Sequence, residues 1–244
     1  MTLTNNILIF KVDGESGICY TYHDIQSKAK RLGSGLIKDG FQKGDVLALY
    51  MTNSPEYPII LLGVTAIGGI VTVVNTMYNS EELSRQLLDS KASYIITSSS
   101  LSLNAKNASG AGILKIYSNG NDSAYEALDV LLNDDGSAFP ENVQVNPRED
   151  VAVLPYSSGT TGLPKGVMLT HYNLVSQICL STTDFNQWDS ESKILTILPF
   201  YHIFGLAIVI GVGMSRGSRL VSIPKFSPEK FLGIIQDYKV IYHK

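Results

Sequence analysis

Ten consecutive residues, SSGTTGLPKG at positions 157–166, combine side chains that are suited to holding a polyphosphate. Glycine lets backbone N–H groups approach an anion and adopt positive φ, and hydroxyl groups donate hydrogen bonds to phosphate oxygens. Lys165 adds a compact positive charge, and no Asp or Glu interrupts the stretch. An apolar run at 151–155 comes directly before it. The residue types therefore predict a phosphate-binding loop that follows a buried strand.

Other chemistries fit these ten residues less well. The Walker loop has the spacing G-x-x-x-x-G-K-[ST], whereas the glycines and the lysine here give G-x-x-G-x-x-K-G. A serine hydrolase presents its nucleophile in a G-x-S-x-G turn, and no such turn surrounds Ser157 or Ser158. A flexible Ser/Gly connection remains the alternative, since any three or four of these residues occur in ordinary loops.

The longer segment YSSGTTGLPKGVMLTHYNL, residues 156–174, resembles the signature of the adenylate-forming superfamily. That superfamily includes acyl-CoA synthetases, 4-coumarate-CoA ligases and beetle-type luciferases. LPFYHIFG at 198–205, KGD at 43–45 and NSPE at 53–56 are similar to further segments of the same family. The resemblance covers nearly the whole chain, and its Pro-Phe-Tyr-His form looks most like the 4-coumarate-CoA ligase and luciferase branch.

The resemblance implies a two-step reaction. A carboxylate attacks the α-phosphate of ATP, which gives an acyl-adenylate and pyrophosphate, and a thiol then takes the acyl group. It implies ATP, Mg²⁺ and CoA as cofactors and a small carboxylic acid as substrate. By position in the motif, the residues that would hold or shape the site for the ATP phosphates are Ser157, Ser158, Gly159, Thr160, Thr161, Gly162, Lys165 and Gly166.

His202 lies where the family has a pocket residue near the carboxylate and the phosphates, so the resemblance implies that it lines the substrate pocket. A lone histidine in an apolar segment is otherwise more often a hydrogen-bonded core residue. The four histidines and two cysteines show no metal-ligand spacing, and no two carboxylates are arranged as a general acid and base. We therefore predict no metal site made by the protein and no complete catalytic set within these residues.

Alternating helix and strand signals surround the motifs. A T-x-x-D cap at 21–24 begins an amphipathic helix that ends near Gly40, and apolar runs at 46–50 and 70–74 are typical of buried strands. Further helices are predicted from Ser54-Pro55, from Ser80 with Leu83, Leu87 and Leu88, after Asn173, near Phe204 and over 227–238. Further strands are predicted at 94–97, 113–117, 151–155, 193–197, 219–223 and 240–243. The alternation predicts an α/β fold with parallel or mixed β-sheets flanked by helices.

The acidic stretch 133–150 lacks sustained periodicity and predicts a linker or boundary. Two βαβ subdomains would then lie at 1–132 and 151–244, and the second would hold the phosphate loop. A strand that starts at Val240, just as the chain stops, would leave a sheet edge unpaired. The family's later motifs for adenine, ribose and the adenylating lysine are also missing. We expect a truncated part of the large N-terminal domain of an adenylate-forming enzyme, with little or no turnover by itself.

The composition limits the class of partner. The 244 residues include 19 Lys and Arg against 22 Asp and Glu, so the formal charge of -3 lacks the basic excess of a nucleic-acid-binding protein. Two cysteines cannot form a disulfide framework, and no signal peptide is recognisable, which favours an intracellular location, cytoplasmic or peroxisomal.

Uncharged stretches at 58–74 and 194–214 approach membrane-spanning length. The glycines and β-branched end of the first favour a buried helix and strand, and we expect no transmembrane span.

Two classes of function remain from the sequence. The first is the N-terminal part of an ATP-dependent acid–thiol ligase. The alternative is a naturally short, non-catalytic nucleotide- or acyl-binding regulatory protein. We favour the ligase, because a chain without phosphate contacts to make has no physical reason to keep Lys165 and every loop glycine.

Overall fold

The computed structural model describes residues 9–13, 17–110, 112–120, 122–157, 162–184 and 188–240. Helices and strands alternate along these residues, which confirms the predicted α/β class. The strands are β1 (Ile9–Asp13), β2 (Cys19–Thr21), β3 (Val46–Tyr50), β4 (Ile70–Val73), β5 (Ala92–Ser98), β6 (Lys115–Asn119), β7 (Glu126–Ala127), β8 (Val151–Leu154), β9 (Tyr156–Ser157), β10 (Lys165–Gly166), β11 (Leu169–Thr170), β12 (Lys193–Thr196) and β13 (Arg219–Ser222). The α-helices are α1 (Tyr22–Lys38), α2 (Glu56–Ala66), α3 (Ser80–Ser90), α4 (Ser102–Ala108), α5 (Leu128–Leu132), α6 (His171–Asp184), α7 (Gly213–Ser215) and α8 (Pro228–Tyr238), with a 3-10 turn at Ser99–Leu101 and a π-helical segment at Phe204–Val212.

The chain forms two compact units, each assembled from separate stretches. Unit A comprises residues 28–52 and 59–174, and unit B comprises residues 1–27, 53–58 and 175–244. Within unit A, β8 pairs in parallel with β4. The sequence predicts a different division, into subdomains 1–132 and 151–244 with a boundary at 133–150. That division stays a prediction.

Unit A is built on a mostly parallel seven-stranded sheet with the order β11-β8-β4-β3-β5-β6-β7. Its central strand β3 is buried at all five positions, as expected when helices cover both faces of a parallel sheet. The first strand in this order, β11, runs antiparallel to β8 at the sheet edge. The carboxyl end of β8 leads into the predicted phosphate loop.

Helix α3 lies next to this sheet and is fixed at both ends. Asn79 and Glu82 form a capping box at its N-terminus, and Lys91 ends it in the left-handed conformation. Leu83 and Leu87 are buried as the periodicity indicates, whereas Leu88 is 74% exposed. The apolar stripe of α3 is therefore narrower than the sequence suggests.

A short helix lies between β5 and β6, where no helix was predicted between the strands expected at 94–97 and 113–117. Helix α4 forms in the Ser/Asn-rich stretch, where the Asn104 side chain donates hydrogen bonds to Tyr50 Oη and to the carbonyl oxygen of Tyr78, both at 2.7 Å. Strand β6 begins at Lys115 instead of Ile113, because its parallel register aligns Tyr94 with Lys115. In both places a tertiary contact overrides local propensity.

Residues 133–150 contain no helix or strand but are attached to the rest of unit A by ion pairs. Lys38 lies 2.8 Å from Asp134 and 2.5 Å from Asp135, and Lys43 lies 2.8 Å from Asp150. These pairs are largely exposed, so each contributes little to stability. Their effect is to hold an irregular segment in one position.

Unit B contains a four-stranded sheet with the order β12-β13-β1-β2, in which only β2 runs antiparallel to its neighbour. The cap predicted at 21–24 is present, since the N–H of Thr21 donates to Asp24 Oδ2 at 2.8 Å and the N–H of Asp24 donates to Thr21 Oγ1 at 3.0 Å. Val240 lies outside any strand, and the rest of the strand predicted at 240–243 lies outside the described residues.

The apolar stretch 58–74 forms the body of α2 and strand β4, as predicted. None of the helices in the described ranges combines the length and apolar character that a membrane crossing requires.

Candidate functional site

The predicted phosphate loop leaves and re-enters a short antiparallel hairpin in unit A. Strands β9 and β10 form its two stems, with Ser157 directly opposite Lys165 and Tyr156 opposite Gly166. The predicted contacts at 158–161 lie outside the described residues. On the returning side, Gly162 has a φ of +142°, a conformation that side chains other than glycine rarely adopt. The structure therefore brings Ser157, Lys165 and Gly166 together at the base of one loop.

Lys165 differs in its surroundings from three other lysines of unit A. Lys38, Lys43 and Lys115 each form an ion pair with a carboxylate at 2.5–2.8 Å. Lys165 is exposed, and no carboxylate in the described part of the chain pairs with it. Its charge is therefore available to an external anion.

Buried polar contacts that the sequence did not indicate hold the strand leading into the loop. Gln86 Nε2 on α3 donates to Thr72 Oγ1 at 2.9 Å, and Thr72 Oγ1 donates to the carbonyl oxygen of Leu154 at 3.0 Å. Gln86 and Thr72 are both buried. A glutamine on an amphipathic helix carries no signal of such a contact, so only the structure could reveal it.

His202, the predicted pocket residue, lies in unit B at the turn before the π-helical segment. Its backbone N–H donates to the carbonyl oxygen of Pro199 at 3.1 Å, and its Nδ1 accepts a hydrogen bond from the N–H of Phe204 at 3.4 Å. The side chain is exposed. An exposed imidazole with one ring nitrogen directed at the backbone leaves Nε2 as the atom that could contact a ligand.

Asn53 fixes the segment that leads to this turn. Its Nδ2 donates to the carbonyl oxygens of Thr196 and Leu198 at 3.2 and 2.9 Å, and its Oδ1 accepts from the N–H of Phe200 at 2.8 Å. Asn53 is 6% exposed. One buried amide thus satisfies three backbone groups in the five residues before Tyr201. The sequence marked Asn53 only as part of the family-like NSPE segment and gave no sign of this contact.

His171, at the start of α6, should make stability depend on pH. Burial lowers the pKa of its imidazole below 6.5, although Asp150 opposes the shift, and Nε2 is buried without a hydrogen-bond partner among the residues described. The stability tied to the neutral ring is therefore present above pH 6.5 and is lost as pH falls through the lower folded pKa. We expect the free energy of unfolding, measured with urea, to fall more between pH 7.5 and 5.5 for the wild type than for His171→Phe. Equal pH dependence in the two proteins would contradict this expectation.

Comparisons with known proteins agree with the motif. The model of the AMP-binding enzyme family matches residues 5–242. A 4-coumarate-CoA ligase of Petroselinum crispum is 37% identical over 94% of this chain and 42% of its own length. A probable 4-coumarate-CoA ligase of Dictyostelium discoideum is 33% identical over 95% of this chain and 45% of its own length. The chain thus spans about half the length of the curated relatives it matches.

Solved structures agree with the family match. The inhibitor-bound N-terminal domain of FACL13 from Mycobacterium tuberculosis superimposes with a TM-score of 0.84 at 26% identity, covering 96% of this chain and 57% of that one. A red-emitting luciferase of Phrixothrix hirtus gives 0.84 at 26% identity over 96% of this chain and 46% of its own. ATP-bound MatB from Rhodopseudomonas palustris gives 0.80 at 25% identity, with the same coverages. The chain belongs to the family of AMP-binding enzymes.

Proposed function

We propose that this chain supplies the phosphate-binding part of an ATP-dependent acid–thiol ligase of the acyl-CoA synthetase and 4-coumarate-CoA ligase type. A carboxylate oxygen of the acid forms a bond to the α-phosphorus of ATP, and the bond from that phosphorus to pyrophosphate breaks. A thiol, of CoA in this proposal, then attacks the acyl carbon and releases AMP. The curated relatives named above support this reaction class.

The observation that carries the proposal is Lys165 at the base of a glycine-containing loop, where no carboxylate among the described residues pairs with it. Its place opposite Ser157 puts a positive charge and a hydroxyl on the same face of the hairpin. In the proposal, Lys165 and the hydroxyls of Ser157, Ser158, Thr160 and Thr161 hold the β- and γ-phosphates, while Gly159, Gly162 and Gly166 give the loop its shape. Their contribution to rate is positioning and charge stabilisation of the leaving pyrophosphate.

Mg²⁺ and the acid enter the same proposal. Across the described ranges, no three His, Cys, Asp or Glu side chains lie close enough to hold a metal ion. We therefore assign Mg²⁺ to the ATP phosphates, where it balances their charge. We assign His202 to the pocket for the acid, with Nε2 as the atom that contacts it.

An intracellular location, cytoplasmic or peroxisomal, belongs to the same proposal. Cys19 and Cys179 are both free and exposed, which suits a reducing compartment.

Titration of the 244-residue chain with magnesium pyrophosphate tests the phosphate site. Lys165→Ala removes a charge-assisted contact worth roughly 1.5 to 3 kcal/mol, so we expect the dissociation constant to rise about ten- to a hundredfold. Lys106→Ala, which removes an equally exposed lysine from α4, is the control for lost charge and should change the constant less than twofold. Equal affinities for wild type and Lys165→Ala would overturn the assignment.

Mass and exchange measurements on the natural protein separate the ligase from a short regulatory binder. A reagent against residues 1–150 should detect a polypeptide well above 26.6 kDa. That polypeptide should catalyse acid-dependent exchange of pyrophosphate into ATP. A natural species of 26.6 kDa without exchange activity would favour the non-catalytic protein instead.

A further inference from the structure

Tyr156 covers the return strand of the phosphate loop. The hairpin register places it opposite Gly166, and a Cβ added to that glycine would lie 3.1 Å from Tyr156 Cζ and 3.2 Å from its Oη. Both separations are shorter than an ordinary van der Waals contact. The tyrosine ring therefore lies directly on the backbone of β10, and only glycine fits beneath it without displacement.

A carboxylate on another element holds the same ring. Tyr156 Oη donates a hydrogen bond of 2.5 Å to Asp89 Oδ2, in the last turn of α3. Burial, followed by the Asp89 contact, raises the pKa of the phenol above its ordinary value, and a tyrosine is a hydrogen-bond donor at neutral pH even without such a shift. The ring is thus fixed on one side by Asp89 and on the other by Gly166.

Helix α3 is a firm support for this contact. Leu83 and Leu87 anchor it in the core of unit A, and Gln86 connects it through Thr72 to the carbonyl oxygen of Leu154. Leu154 lies two residues before Tyr156. The stem that enters the loop is therefore tied to α3 twice, once through the backbone of β8 and once through the tyrosine hydroxyl.

Successive residues of a strand point to opposite faces. Tyr156 and Gly166 occupy one face of the hairpin, so Ser157 and Lys165 occupy the other. Fixing the first pair therefore sets the direction of the second pair. If Oη lost its acceptor, the ring could leave Gly166 and the two stems could rotate relative to α3.

We propose that Tyr156, held by Asp89 and seated on Gly166, is a positioning residue that orients Ser157 and Lys165 toward a bound polyphosphate. This inference rests on the proposed function, because the polyphosphate is the ligand of that site. Neither residue of the Tyr156–Asp89 pair touches the ligand. Their effect is on affinity through the shape of the hairpin.

Three single variants and one double variant of the 244-residue chain test the pair by titration with magnesium pyrophosphate. Tyr156→Phe removes the donor, Asp89→Ala removes the acceptor, and Asp89→Asn keeps an acceptor while removing the charge. Loss of a negative charge beside the site favours anion binding on electrostatic grounds alone. We nevertheless expect Tyr156→Phe and Asp89→Ala to weaken binding about fivefold, and Asp89→Asn to restore most of the affinity. The double variant Tyr156→Phe/Asp89→Ala should be no weaker than either single variant, because both remove one hydrogen bond.

Hydrogen exchange in the ligand-free chain gives a second, independent measurement. The amides of Ser157, Lys165 and Gly166 in the two stems should exchange faster in Tyr156→Phe and Asp89→Ala, at unchanged urea midpoints. Wild-type affinity and exchange in both variants, together with lost affinity in Lys165→Ala, would overturn the inference and leave the proposed function standing. A wild-type chain that binds no pyrophosphate would overturn both.

Discussion

Replacing Asn53 with alanine should lower the free energy of unfolding by roughly 3 to 5 kcal/mol, since three backbone groups would lose their partner inside the protein. Those groups are the carbonyl oxygens of Thr196 and Leu198 and the N–H of Phe200. The 6% exposure of Asn53 leaves little access for water to replace the amide. Urea unfolding followed by circular dichroism measures the change.

The same site allows a more selective substitution. Asn53→Asp keeps the acceptor for Phe200 but directs a carboxylate oxygen at two carbonyl oxygens, so it should destabilise nearly as much as alanine. Asn142, an exposed asparagine at which the described structure shows no hydrogen bond, is the matched control, and Asn142→Ala should stay within about 0.5 kcal/mol of wild type. If Asn53→Ala unfolds at the same urea concentration as Asn142→Ala, the three hydrogen bonds do not support the segment before His202.

Replacing Gly205 with alanine should destabilise the chain by roughly 3 kcal/mol, because the new methyl group meets backbone that cannot rotate away. A Cβ at this position would lie 2.2 Å from the carbonyl oxygen of Pro199 and 3.1 Å from Cα of Phe200. The turn that contains His202 would have to open to admit it. Urea unfolding should reveal the loss of stability, and in the natural protein acid-dependent exchange should fall with it.

Gly211→Ala is the control for this change, since it lies in the same π-helical segment and makes the same gain in helix propensity. There the added Cβ would meet Cδ1 and Cγ1 of Ile178 at 2.7 Å, side-chain atoms that move when Ile178 changes rotamer, and no backbone atom lies as close. We expect a loss within about 1 kcal/mol for this variant. Similar losses at Gly205 and Gly211 would mean that backbone contact with Pro199 does not constrain the turn.

Strands with compact β-branched or apolar runs could be located from the sequence, because such runs are typical of a sheet covered on both faces. Strands β3, β4, β8, β12 and β13 all lie where the sequence predicts them. Strands β1 and β2 were not predicted from the sequence. Their pairing depends on β13, far along the chain, and leaves little local pattern. The helix predicted from Ser54-Pro55 rests on a local motif in which the serine caps the helix, yet the Ser54 hydroxyl is buried without a hydrogen-bond partner in the described region, and its carbonyl oxygen accepts from the N–H of Tyr57.

For the candidate site, the sequence predicted which residue types bind the ligand. It did not predict the contacts that hold those residues in place. The composition of 157–166 directly indicates an anion, because hydroxyls, glycines and a lysine are the chemistry of phosphate binding. The roles assigned to those residues and to His202 stay predictions that the variants above can test. Asp89 and Asn53 act through contacts far along the chain, where one sequence carries no periodicity or motif to connect the partners.

The parallel pairing of β1 with β13 also has a consequence for how the chain is made. Strand β1 leaves the ribosome about 200 residues before its partner β13. At about 5 to 20 residues per second, the interval is roughly 10 to 40 s. During that time β1 has only the three-residue β2 as a sheet neighbour, so one long edge of the nascent hairpin stays open to other chains. We therefore expect the nascent chain to associate with other chains most readily before β13 is translated.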